Sequence, residues 1–218
     1  MSEQAPINKN SMPVIPVSNK RFWAVLGGIL SLAAILLIVA PAEQTLGEGI
    51  KSVYIHVAFT WAGMIGLVVA GILGLATAIT DHKALLDWAK TIGWVALAMF
   101  AAGLVMSILA ARINWGAVFW QEPRTNSALE ILALGFIVQF MATLPIPDRL
   151  KGVLFLLLAA FLIYSVSSTE RVLHPGNAAR TSPSATIRFT FLGLFLLLTG
   201  AAAWIIFHKQ RGKRQVPR

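Results

Sequence analysis

The chain has 218 residues, 57% of them hydrophobic and 12% charged, with a formal net charge of +9 and a mean hydropathy of +0.73. So large an apolar share makes the bilayer the solvent and excludes an ordinary water-soluble domain. The absence of cysteine excludes disulfides, iron–sulfur clusters, thiolate ligation and covalent haem attachment, and the positive charge sits in tails and short connections, as membrane topology requires, rather than in a nucleic-acid-binding patch.

A hydropathy window of roughly 19 residues predicts six spans. Residues 1–20 lack an apolar core and read as a disordered cytoplasmic tail, not a cleavable signal peptide. The spans follow at Phe22–Ala40, Val53–Thr80, Trp88–Ala111, Ser127–Leu144, Leu150–Val166 and Ile187–Phe207, and residues 209–218 form a basic cytoplasmic tail. The expected fold is all-α, a polytopic membrane domain over residues 21–208 with an outer-face Trp-rich loop at 112–126. In the second and third spans, Gly63, Gly66, Gly71, Gly74, Gly93 and Gly103 suit close helix packing. Gln139, near mid-span, is expected to hydrogen-bond to a neighbouring helix. Ser127-Ala128-Leu129-Glu130 has the spacing of a capping box opening the fourth span.

An even number of spans puts both termini on one side. That side carries twelve Lys and Arg residues, and the other carries six, namely Lys51, Arg112, Arg124, Arg171, Arg180 and Arg188. The bias places both termini in the cytoplasm. The outer face then holds the connections 41–52, 112–126 and 167–186. Its bias towards arginine suits forked recognition of carboxylates, although lipid phosphate is an equal explanation for Arg112 and Arg188 at span ends.

The segment WGAVFWQEPR, Trp115–Arg124, is too short and too polar to span. It sets aromatic faces beside a carboxylate, Glu122, and a guanidinium, Arg124, which suits a planar, amphiphilic ligand bearing carboxylates. Taken alone it also fits an interfacial aromatic belt. Of four histidines, His82 and His208 read as solvated. His56 at the outer end of the second span and His174 in the last outer connection face the same space, and ionisable residues at the mouth of a span are functional candidates. With the aromatics and arginines, the pair suggests a bis-imidazole iron site: His56 and His174 as metal ligands, Trp115, Phe119 and Trp120 covering a porphyrin, and Arg124 or Arg171 meeting its propionates. Zinc fits poorly, because neither a third histidine nor a cysteine accompanies the pair.

These residues resemble the haem-handling family of cytochrome c biogenesis, most closely its haem exporter protein C type. VYIHVAFTW is similar to that family's YIHVPxxW, with His56 at the ligand position. Against the signature WGxWWxWDxRxTS, Trp115, Gly116, Arg124 and Ser127 match, Phe119 stands at a tryptophan and Glu122 at the aspartate. Val118 and Gln121 replace two further tryptophans, Trp120 is displaced by one, and Pro123 stiffens the turn before Arg124. His174 falls where the family has a second outer histidine. The resemblance spans roughly Val53 to Gly176. It implies a cell inner-membrane protein that holds haem b at the outer face and delivers it to a periplasmic haem chaperone. It also implies further membrane subunits in a maturation complex, including a separate ATPase, since this chain has no phosphate loop. No nucleophile with a base is recognisable, so enzymatic activity is not expected. Two other classes remain: a b-type haem subunit of a membrane redox complex, which needs histidines within the hydrocarbon, and a cofactor-free small-molecule transporter, which needs a polar pathway across it.

Overall fold

The computed structural model of the protein describes residues 19–169 and 182–214. Six helices carry them: α1 Asn19–Ile38, α2 Ile50–Thr80, α3 Lys83–Trp115, α4 Pro123–Met141, α5 Asp148–Ser168 and α6 Ala185–Arg214. No strand occurs among the described residues, only an isolated bridge between Glu43 and Gly47. All but α4 are long and apolar enough to cross a membrane. The all-α, multi-pass membrane architecture expected from composition therefore holds. In α4, Arg124, Thr125, Asn126 and Glu130 dilute the first two turns. The 31 residues of α2 and 33 of α3 extend about 46 and 50 Å, well past a hydrocarbon layer of about 30 Å.

α2 is the hub, packed against α3, α5 and α6. Between membrane helices the driving force is close packing, so small residues mark the contacts. A Cβ at Gly63 would lie 2.6–2.8 Å from the backbone and Cβ of Phe100 on α3, and one at Gly74 would lie 2.6 Å from the Gly152 carbonyl on α5. The expected glycine contacts are thus real and divided: Gly63 and Gly66 face α3, whereas Gly71 and Gly74 face α5. One apolar cluster, including Leu67, Leu97, Phe100, Ile131 and Phe155, joins α2 to α3, α4 and α5. A second, including Ala33, Tyr54, Ile187 and Leu194, joins α2 to α1 and α6. Gln139 bonds as expected: its Nε2 donates to the Lys90 carbonyl at 3.2 Å from a position only 1% exposed.

At one end of the bundle, here the basic end, the start of α1 meets the end of α6. Trp204 Nε1 donates to the Phe22 carbonyl at 3.2 Å, and the His208 ring lies 4.3 Å from that of Phe22. His208 is therefore partly covered rather than fully solvated. His82 is exposed and serves as N-cap of α3, accepting from Ala84 N–H. Asp81 and Arg149 pair at 3.5 Å across the α2–α3 and α4–α5 turns.

Several boundaries differ from the sequence expectation. α3 runs to Trp115 and α4 starts at Pro123, so the loop proper is 116–122 rather than 112–126. α6 continues to Arg214, because Lys and Arg are good helix formers that complement a helix C-terminus. Of the expected tail at 1–20, Asn19 and Lys20 belong to α1; residues 1–18 lie outside the described residues.

Candidate functional site

At the opposite, tryptophan-loop end, α2, α3, α4 and α5 enclose a cavity of about 350 Å³, within the range of small-molecule sites. Its α2 wall is Val53, His56, Val57, Thr60, Trp61 and Met64. These positions step by three and four and so share one helix face. Phe100, Leu104, Ser107, Ile108, Ala111 and Trp115 do the same on α3. The far wall is more polar: Glu122, Arg124, Thr125 and Ser127 from the loop and α4, with Ser165 from α5 and Thr169 at its C-cap.

Local sequence explains the frame. Gly103 lets α3 approach Thr60 so closely that a Cβ there would stand 2.8 Å from the Thr60 backbone nitrogen. That approach brings the Gly103 carbonyl to 2.8 Å from His56 Nδ1. A carbonyl only accepts, so Nδ1 carries the proton in this bond, and the contact orients the ring with Nε2 as its other nitrogen. His56 is half-buried in the second turn of α2. Asn114 fixes the mouth: its Nδ2 donates to Ala110 O at 2.8 Å, Ser52 Oγ at 3.2 Å and Gly49 O at 3.3 Å, tying the end of α3 to the start of α2.

Gly116 ends α3 at φ +73°, its N–H donating to Arg112 O at 3.0 Å; this left-handed position favours glycine. Pro123 then opens α4 at N1, where its ring is preorganised for the helix and its missing N–H costs nothing. This overturns the expected capping box. The helix begins four residues before Ser127, whose hydroxyl instead bonds Oγ1 of Thr169, the C-cap of α5, at 2.8 Å, while Glu130 is exposed. Glu122 takes the N-cap position and is 3% exposed, at the positive end of the α4 dipole. Beside the mouth, backbone N–H groups of Leu46 and Thr45 bond the Glu43 carboxylate at 2.9 and 2.8 Å and hold it below the usual carboxylate range.

The chain matches no protein-family model and no curated protein.

Of the residues singled out from sequence, His56, Trp115, Phe119 and Arg124 converge on the cavity. Trp120 does not; it is 59% exposed and away from the wall. His174, Arg171 and Arg180 lie outside the described residues. Sequence reading missed Thr60, Trp61, Met64, Ser107 and the α5 hydroxyls. The three- and four-residue steps from His56 pointed to Thr60 and Met64, but a helix apolar on every side does not reveal which face lines a cavity. Among the described residues no cluster of three or more His, Cys, Asp or Glu forms a conventional metal site. The arrangement offers one imidazole, aromatic faces, an apolar interior and a guanidinium beside a row of hydroxyls.

Proposed function

We propose that this protein handles haem in cytochrome c biogenesis, in the manner of the haem exporter protein C type, binding haem b at the tryptophan-loop face and passing it to a periplasmic haem chaperone. The observation that carries the reading is the convergence of His56, Trp115, Phe119 and Arg124 on one cavity. The donor set suits the ligand: an imidazole oriented through its Nδ1 bond to Gly103 O, with Nε2 to meet iron, Trp61, Trp115 and Phe119 for the porphyrin, and Arg124 for its carboxylates. His174, outside the described residues, would be the second residue to hold the iron in this reading. A ligand held near a helix end is accessible to an acceptor, which favours delivery over the electron transfer of a buried b-type haem subunit, and the apolar character of the spans argues against a polar transport pathway.

In the same proposal α4 supplies the sixth span, the basic end is cytoplasmic with both termini, and the protein resides in the cell inner membrane, as the excess of Lys and Arg supports. It is not an enzyme. Its partners are the chaperone, the lipid bilayer and other membrane subunits of the maturation complex, among them a separate ATPase. The test is the visible absorption spectrum of the detergent-purified, haem-loaded full chain beside His56→Ala and His174→Ala. A six-coordinate spectrum altered in both variants supports the reading. Haem bound identically in all three, or in none, overturns it.

A further inference from the structure

The basic end holds a second polar cluster, remote from the cavity. Lys151 of α5 is 9% exposed, and its Nζ donates to Asp148 Oδ1 at 3.1 Å. It stands in the first turns of α5, where the positive end of the helix dipole disfavours an ammonium. Lys213 of α6 reaches Thr91 Oγ1 at 2.7 Å. Gln210, buried, donates to the same oxygen at 3.2 Å and to Asp87 O at 2.9 Å, which fastens α6 to α3. Lys90, half-buried on α3, lies within electrostatic reach of Lys151 and Lys213, and of Asp87 and Asp148. Its ammonium makes no hydrogen bond or ion pair among the described residues.

The half-buried Lys90 and the buried Lys151 thus lie, with the exposed Lys213 beside them, near two carboxylates, one of which pairs directly with Lys151. A part-buried charge without a direct partner is unfavourable, and the neighbouring Thr91, Gln139 and Gln210 bring no negative charge. An anion from outside would complete the balance. Compact ammonium groups suit phosphate, and basic pockets between spans near a membrane surface take phosphate headgroups.

We propose that Lys90, Lys151 and Lys213 form a phosphate-binding site between α3, α5 and α6 at the basic end. Its ligand carries a phosphate group, either on an anionic lipid or on a soluble compound. Lys151 is buried and its replacement endangers the fold, so Lys90→Gln and Lys213→Gln carry the test, with the exposed Lys209→Gln on α6 as control.

Native mass spectrometry of the full chain in detergent, titrated with phosphatidylglycerol and with phosphatidylcholine, measures the affinities. The anionic lipid should bind in preference, and each of the two test variants should weaken it more than about tenfold. The control should lose less than about fivefold, the worth of one surface lysine. Inorganic pyrophosphate that displaces the lipid at lower concentration identifies a soluble phosphate as the source; failure to displace it identifies the headgroup. Equal loss in Lys209→Gln and Lys90→Gln, unchanged affinity in both test variants, or no preference over phosphatidylcholine overturns the site.

Discussion

The two halves of α2 pack in different ways. From Gly63 towards Thr80 the helix meets its neighbours backbone to backbone, with Phe100 and Ala96 of α3 on one side and Gly152, Phe155 and Ala159 of α5 on the other. From Val53 to Met64 it still grips α3, through Gly103 and the His56 bond, but between it and the upper turns of α5 lies a cavity edged by Ser165 and Thr169. α5 is held at the top by a hydroxyl pair to α4 instead. Small residues set where helices touch, and the cavity lies where the glycines facing α5 stop. The same chain therefore supplies a rigid half that fixes geometry and a looser half able to admit a ligand.

The sharpest way to break this comparison is to overpack the rigid half. Gly63→Leu drives a side chain into the Phe100 backbone and should destabilise the detergent-solubilised protein by about 3 kcal/mol. Ala111→Leu, pointing into cavity space, should change stability by less than about 0.5 kcal/mol. Thermal unfolding of the pair reads the difference, and comparable losses would refute the division. Next, Arg124→Gln should weaken haem binding about 30-fold, or about 2 kcal/mol, by removing a charge-assisted carboxylate contact. Haem dimethyl ester, which lacks the carboxylates, should bind wild type and variant alike. A smaller effect is expected at the α4–α5 tie, where Ser127→Ala and Thr169→Val should each cost about 1 kcal/mol and show coupling in a double-mutant cycle.

The smallest effect concerns Glu43. Its folded-state pKa is depressed by the Leu46 and Thr45 N–H groups, so its contribution is present above the ordinary carboxylate value of about 4.3. It is lost as pH falls through the lower folded value. Amide exchange at Leu46 and Thr45 should accelerate only below that window, and Glu43→Gln should remove the pH dependence.

Much of this fold was legible in the sequence, because apolar length and glycine spacing act locally. The positions of all six helices, the packing glycines and the bond from Gln139 followed directly. The start of α4 did not. Ser127 and Glu130 had capping-box spacing, but Pro123 and the buried Glu122 open the helix first, and Ser127 found a partner 42 residues away in Thr169. The cavity was legible only in part. Histidine, tryptophan and arginine announce themselves by rarity, whereas Thr60, Met64 and Ser107 become wall residues only through the approach of α3 to α2. Trp120 shows the converse, since adjacency in sequence to Phe119 did not bring it to the same surface.

The most direct measurement is a haem titration, followed by visible absorption, of full-length Ala111→Trp, which keeps His56 and fills the cavity with an indole. With a thermal midpoint matching wild type, haem affinity should fall more than about tenfold, because the ligand and the indole compete for about 350 Å³. Wild-type affinity in the filled protein would place the haem site elsewhere and contradict the account.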